Sequence, residues 1–341
     1  MSAAPKEAPH RSWTAFRESP FLPAVVITLL VAAVAGMFAG SYTYALADPT
    51  PRHIPTAVVG AADDRGRRTD FVRGMERRLD SSLALRRYAT YAAARQAVEA
   101  QEVFAVIRLS RARGVELDVA SAAGATVAEV LRQAAPRVGK EAGVPVVVVD
   151  IKPLQRGDPR GLTLFYISLA AVIIGFLGAI QLSIHAARLE PLERTVFTAV
   201  YAVLGGFAIA AVVDWLLGAI DLPFAHSWLI LALTMFTAGM VFTMFQTLVG
   251  RWAVLPTWGV MVLLGNPSSG GAVSWPLLPS PFGVIGRWLP PGASVNAQHT
   301  AVYFPGSLYL QPYAALAAWA VASSAVFWAW RHRHPGGRPD A

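Results

Sequence analysis

Residues 21–60 read FLPAVVITLLVAAVAGMFAGSYTYALADPTPRHIPTAVVG, and the change of character at Asp48 decides the fold. The stretch from Phe21 to Ala47 carries no charge and is long enough for a helix through a bilayer core, which takes about 20 apolar residues. The next stretch is rich in charge. Residues 48–160 hold 19 of the 29 Lys+Arg and 14 of the 21 Asp+Glu, so about a third of the length carries two thirds of the charge. Beyond residue 160 the chain turns apolar again. The expected architecture is a membrane protein of six transmembrane α-helices, with an extracytoplasmic α/β domain inserted between helices 1 and 2.

Composition agrees. Hydrophobic residues make up 55% of the 341 and charged residues 15%, against roughly 25% charged in soluble domains. Although the formal charge is +8, the arginines are spread along the chain and interleaved with acids, so nucleic acid is not an expected partner and membrane lipid is. The absence of cysteine excludes disulfides, thiolate metal sites and thiol nucleophiles. The charged unit must therefore be held by its core alone.

The runs 19–47, 161–187, 195–213, 222–250, 252–286 and 288–330 contain no Asp, Glu, Lys or Arg. They place a cytoplasmic tail at 1–20, helix 1 at 21–47, the outer domain at 48–160 and a five-helix bundle at about 162–186, 195–218, 227–250, 252–265 and 312–330. Within the bundle, the Pro/Gly-rich segment 266–311 lies outside, and the chain ends in a cytoplasmic tail at 331–341. The helix at 252–265 is short and contains Pro256. Ala45-Leu46-Ala47 resembles a signal-peptidase site, but the apolar run before it far exceeds the 7–15 residues of a signal-peptide core, so helix 1 is expected to be retained. Orientation follows from the basic residues of short loops. Lys6, Arg11, Arg17, Arg188, Arg194, Arg251, Arg331, Arg333 and Arg338 fall on one side, which puts both termini in the cytoplasm and the protein in the plasma membrane as a multi-pass chain.

Inside 48–160 the hydrophobic period alternates. Residues 55–60, 103–109, 115–120 and 144–151 read as strands, and 69–80, 91–100 and 126–137 as helices. The helix at 126–137 sets Val127, Val130, Leu131 and Ala134 on one face. The arginines at 65, 67, 68, 73, 77 and 78 are a candidate docking surface, weighed against an ordinary solvated helix face.

Chemistry is sparse. Lys140 follows Gly139 but lacks the remaining residues of a phosphate-binding loop, and no HExxH, GxSxG or paired-cysteine pattern occurs. No catalytic, metal or cofactor residue is assigned, and no enzymatic activity is expected. Asp214 is the only acid within an expected span, a position that marks function or interfacial capping. Gln181, Thr234, Thr237 and Gln246 are mild polar groups that glue helices or line a path, and Arg287 is the lone charge of the outer segment. A 47-residue connection at 266–312 with eight prolines is too long for an idle loop. Short interfacial or re-entrant helices forming a gate are expected there.

The layout and the stretches 48–59 (DPTPRHIPTAVV), 91–109, 118–126 (DVASAAGAT), 158–165 (DPRGLTLF), 265–271 (GNPSSGG) and 288–303 (WLPPGASVNAQHTAVY) resemble the phage infection protein (YhgE/Pip) family. Its actinobacterial members are similar to type 2 ABC transporter permeases. That resemblance implies an export subunit for a lipophilic or amphipathic substrate, a homodimer, and a separate nucleotide-binding ATPase that alone holds ATP. Glu190 and Glu193, between helices 2 and 3, are the candidate ATPase contact. A non-transporting scaffold or receptor whose outer domain binds an envelope or secretion partner is the alternative.

Overall fold

The computed structural model describes residues 21–59, 65–80, 83–110 and 114–334. It is mostly helical, with one small mixed sheet. Among the described residues, five helices are long and apolar enough to cross a membrane: α1 (Phe21–Leu46), α5 (Thr163–His185), α6 (Pro191–Ala211, extended by a π-turn at Val212–Leu216), α7 (Phe224–Val249) and α11 (Gln311–Arg333). Residues 252–265, expected as a further span, instead form α8 (Val254–Trp258) and a π-helical stretch, Gly259–Leu264. Eleven helical residues rise only about 16 Å, roughly half a bilayer core.

The sheet unit lies in sequence between α1 and α5. Its strands are β1 (Ile54–Val59), β2 (Leu83–Tyr88), β3 (Ala105–Ser110), β4 (Gly114–Val119) and β5 (Val146–Asp150). They are ordered β2-β1-β3-β4-β5, and only the β3–β4 pair is antiparallel. Three helices clothe it: α2 (Arg65–Leu79), α3 (Tyr91–Glu99) and α4 (Ala125–Glu141). Alternation along the strands explains which face each helix takes. Ile54, Val58, Ala105, Ile107, Leu117 and Val119 point to the face where Phe71, Met75 and Leu79 of α2 meet Val127, Leu131 and Val138 of α4. Ala57 and Val106 point the other way, to Ala94, Ala97 and Val98 of α3. On that second face α3 stops short of β5, so Val147 and Val149 stay exposed. Arg108 covers the gap beside them, its guanidinium 4.1 Å from the Tyr91 ring and donating to the buried Asp118 carboxylate at 2.8 and 3.1 Å.

Strand β2 was not expected from the sequence. It is an edge strand whose Arg86 and Arg87 are exposed, so it lacks the apolar alternation of a core strand. Of the candidate docking arginines, Arg73, Arg77 and Arg78 lie on α2, and the side chains at 65, 67 and 68 fall outside those described.

In the bundle, α7 is the central helix, with α5, α6 and α11 around it. Glycines set the spacing: a Cβ on Gly175 of α5 would lie 2.6 Å from the Met235 carbonyl oxygen, and one on Gly206 of α6 would lie 2.7 Å from the Ala232 nitrogen. The backbones approach this closely because no side chain intervenes. By contrast, α1 stands apart, touching the rest only near its sheet-side end. There Ser41 Oγ donates to the Leu263 carbonyl at 2.6 Å and Asn266 donates to Tyr42 Oη at 2.6 Å.

Gly175→Ala is expected to push α5 away from α7 and to destabilise the protein by about 1–3 kcal/mol. Gly36→Ala in α1, where nothing lies within 4 Å, should leave stability unchanged. Melting of the two variants in detergent measures the difference.

Candidate functional site

The segment after α8 builds a site between the bundle and the sheet unit. Its backbone is punctuated by prolines, which end each helical piece and start the next. The first piece returns towards the sheet, where Gly271 packs on Phe165 at the start of α5. Next, Val273, Leu277 and Leu278 join the core of the sheet unit itself. A short helix, α9 (Ser280–Ile285), leads to Arg287 and Trp288. The Trp288 carbonyl accepts from Trp319 Nε1 at 2.8 Å, and Trp319 sits eight residues into α11, about 12 Å below its start. The chain has therefore entered the bundle, and α10 (Pro290–Tyr303) climbs back out.

Almost the whole of α10 is buried, against α7, α11 and α5. Small residues make this fit possible: Ala293, Ala297 and Ala301 face Leu316 and Ala315 of α11 and Ile230 of α7. Its other side presents polar groups to α7. Thr234 Oγ1 donates to Ser294 Oγ at 2.8 Å, and Gln298 Nε2 donates to the Ser227 carbonyl at 3.0 Å. Ser227 Oγ and Gln298 Oε1 are buried with no hydrogen-bond partner among the described residues. Unpartnered polar groups cost free energy when buried, and the seam is a polar strip within the apolar interior.

At its upper end α10 meets the sheet unit. Gln101 Nε2 donates to Thr300 Oγ1 at 3.0 Å, and Lys152, held by Glu99 at 2.8 Å, lies 5.2 Å from the Phe304 ring. Two neighbouring contacts tie the same surfaces: Thr126 Oγ1 donates to Ser274 Oγ at 2.8 Å, and Gln155 pairs with the Asp221 backbone in both directions. Asp158 accepts from the Leu162 and Thr163 nitrogens at 3.0 and 2.9 Å and so caps α5 where it leaves the sheet unit. His299 sits at this junction. Burial holds its imidazole below the ordinary histidine range, against smaller upward pulls from the Ala122 backbone and Asp158.

The residues singled out from the sequence do not converge on one place. Thr234 belongs to the seam, and Thr237, one turn along α7, is buried and donates to the Leu233 carbonyl. Asp214 is in the π-turn at the sheet-side end of α6, where its Oδ1 accepts from the Leu222 nitrogen at 3.3 Å. Gln181 is exposed at the far end of α5. Gln246 accepts from Arg194 at 2.8 Å, also at the far end. Arg287 lies 4.9 Å from the Trp275 ring, and its carbonyl takes a hydrogen bond from Gln311. Glu190 and Glu193 form a capping box at the start of α6, the Glu190 nitrogen donating to Glu193 Oε2 at 2.9 Å.

Sequence reading missed Ser294, Gln298 and Thr300. Their signal was a run of polar residues, Ser294, Asn296, Gln298, His299 and Thr300, inside a stretch free of Asp, Glu, Lys and Arg. No group of three or more His, Cys, Asp and Glu able to hold a metal ion occurs among the described residues. No family model, curated protein or solved structure matches this chain.

Because His299 is held low, the unfolded chain takes up a proton below about pH 6.5 that the folded chain refuses. The contribution of neutral His299 is therefore complete above that pH and is lost as pH falls through the window beneath it. Melting temperature in detergent should drop between about pH 7 and pH 5.5, and drop less in His299→Gln. Equal drops in both proteins would remove His299 as the cause.

Proposed function

We propose that this chain is an export permease subunit, with six membrane crossings, both termini in the cytoplasm and the sheet unit outside. On this reading residues 252–265, the fifth crossing in chain order, traverse as α8 and the π-helical stretch, and the irregular chain that follows to Gly271 carries the crossing on to Phe165. A lipophilic or amphipathic compound moves along the α7–α10 seam, and a separate nucleotide-binding ATPase drives it, as the likeness to YhgE/Pip proteins and type 2 ABC permeases implies. The working unit is a homodimer.

One observation carries the reading: α10 is at once buried between spans and bonded to the sheet unit through Thr300 and Phe304. A movement of either body is felt by the other. Two further features support it. Arg188, Arg194, Arg251, Arg331 and Arg333 gather at the end of the helices away from the sheet, as the positive-inside rule requires of a cytoplasmic face. Glu190 and Glu193 lie exposed at that same end, where an ATPase would dock.

A second reading, a membrane scaffold whose outer unit binds an envelope partner, is favoured by the bare edge strand β5 with Val147 and Val149 exposed.

Recovery of the full-length protein from membranes in mild detergent is expected to bring down a nucleotide-binding protein. Glu193→Gln, which keeps the cap hydrogen bond but removes the charge, should weaken that recovery. Loss of the gene should raise sensitivity to lipophilic compounds. No nucleotide-binding partner together with unchanged sensitivity would contradict export and favour the scaffold.

A further inference from the structure

Where α1 ends, the linker to β1 runs against the segment that enters the bundle, the Arg52 nitrogen donating to the Pro276 carbonyl at 2.7 Å. Between them lies an open groove of about 620 Å³, lined among others by Thr50, Arg52, His53, Asp80, Trp275 and Val284. That volume falls within the ~300–1,000 Å³ typical of small-molecule sites. Its floor is firm, because the Trp275 ring is braced by the Phe104 edge at 5.9 Å and by the Arg287 guanidinium at 4.9 Å.

Two features separate this groove from ordinary surface. Of the three non-glycine residues with positive φ among those described, two line it: His53 at φ 48° and Asp80 at φ 48°. Histidine and aspartate tolerate this conformation better than most, yet it is strained and tends to mark functional positions. Charge is the second feature. Arg52 and Asp80 are both exposed, and no ion pair joins them among the described residues. A purely anionic ligand would meet Asp80, and a purely cationic one would meet Arg52. A head carrying both signs pairs with each.

The rim is greasy. Val284 is 55% exposed, and Phe282 of the same helix lies edge-on to Tyr44 of α1, the ring centroids 5.6 Å apart. An apolar track therefore leads from the groove onto the bare surface of α1. Aromatic side chains at this level are the usual mark of the bilayer interface.

We infer that this groove binds the head of an amphiphile bearing a phosphate and an ammonium group, phosphate towards Arg52 and ammonium towards Asp80, with its acyl chains on α1 and α9. The inference rests on reading the long helices as membrane spans and not on export, so it can stand or fall without an ATPase.

The test uses the full-length protein, purified and stripped of lipid, with no nucleotide or partner present. Photo-crosslinkable phosphatidylethanolamine, phosphatidylglycerol and diacylglycerol are offered in nanodiscs, with free phosphoethanolamine as competitor, and labelled peptides are mapped. Phosphatidylethanolamine should label residues 50–53 and 275–284 in preference to the other two lipids. Arg52→Gln should reduce that labelling about tenfold, the loss of one charge-assisted contact. Asp80→Asn, which suits the same backbone conformation, should turn the preference towards phosphatidylglycerol. Melting temperatures matching the parent protein establish that both variants fold. Equal labelling by all three lipids, or labelling unchanged in both variants, would overturn the assignment. Full displacement by free phosphoethanolamine at a concentration no higher than that of the lipid would also overturn it, by making the ligand a soluble zwitterion rather than an amphiphile.

Discussion

The seating of α10 is the constraint on which the rest of the structure depends. A helix of 14 residues buried among α5, α7 and α11 is fixed by what meets its two ends. The first turn starts with Pro290 and Pro291, which offer no N–H to satisfy, and Pro291 packs within van der Waals reach of Gly265. The last turn runs into the sheet unit, where Thr300 takes the Gln101 hydrogen bond and Phe304 is buried beneath Lys152. Take away the sheet unit and the upper end of α10 loses its polar partners.

That dependence runs in both directions. Val273, Leu277 and Leu278, more than a hundred residues downstream of β5, belong to the hydrophobic core that also contains Phe71, Leu117 and Leu131. The charged unit therefore shares its core with the segment that leads into α10, and is not tethered by hinges alone. Asp158 reinforces the join by capping α5 at the point where the chain leaves the sheet. With its partners fixed on both sides, the Thr234–Ser294 and Ser227–Gln298 seam is held in register between α7 and α10.

How much of this was legible depends on whether a residue's role needs a partner. Long runs without charge declare themselves, because crossing an apolar layer is a property of the run alone; α5, α7 and α11 fall close to their expected bounds. The helix α4 and the strands around Val106 and Leu117 follow from local periodicity. Strand β2 did not, since an edge strand bearing Arg86 and Arg87 owes its conformation to pairing with β1. Nor did α10, whose composition is mild and whose burial comes entirely from neighbours distant in sequence. Thr234 stood out as a polar residue in a span, but Ser294 could be recognised as its partner only in three dimensions. Asp214, Glu190 and Glu193 looked chemical and are engaged in local backbone capping, which uses the same carboxylates that function would.

The central claim, that the sheet unit is fastened to α10, can be tested cleanly because the chain has no cysteine of its own. Gln101→Cys combined with Thr300→Cys places two thiols at the two ends of a 3.0 Å side-chain hydrogen bond, in a background with no other thiol, and because cysteine is shorter than glutamine a short bis-methanethiosulfonate linker is used to bridge them. Treatment of the double variant with that linker in native membranes should give rapid and nearly complete intramolecular cross-linking, with each single variant as control. Failure to cross-link under conditions that label both thiols singly would contradict the account.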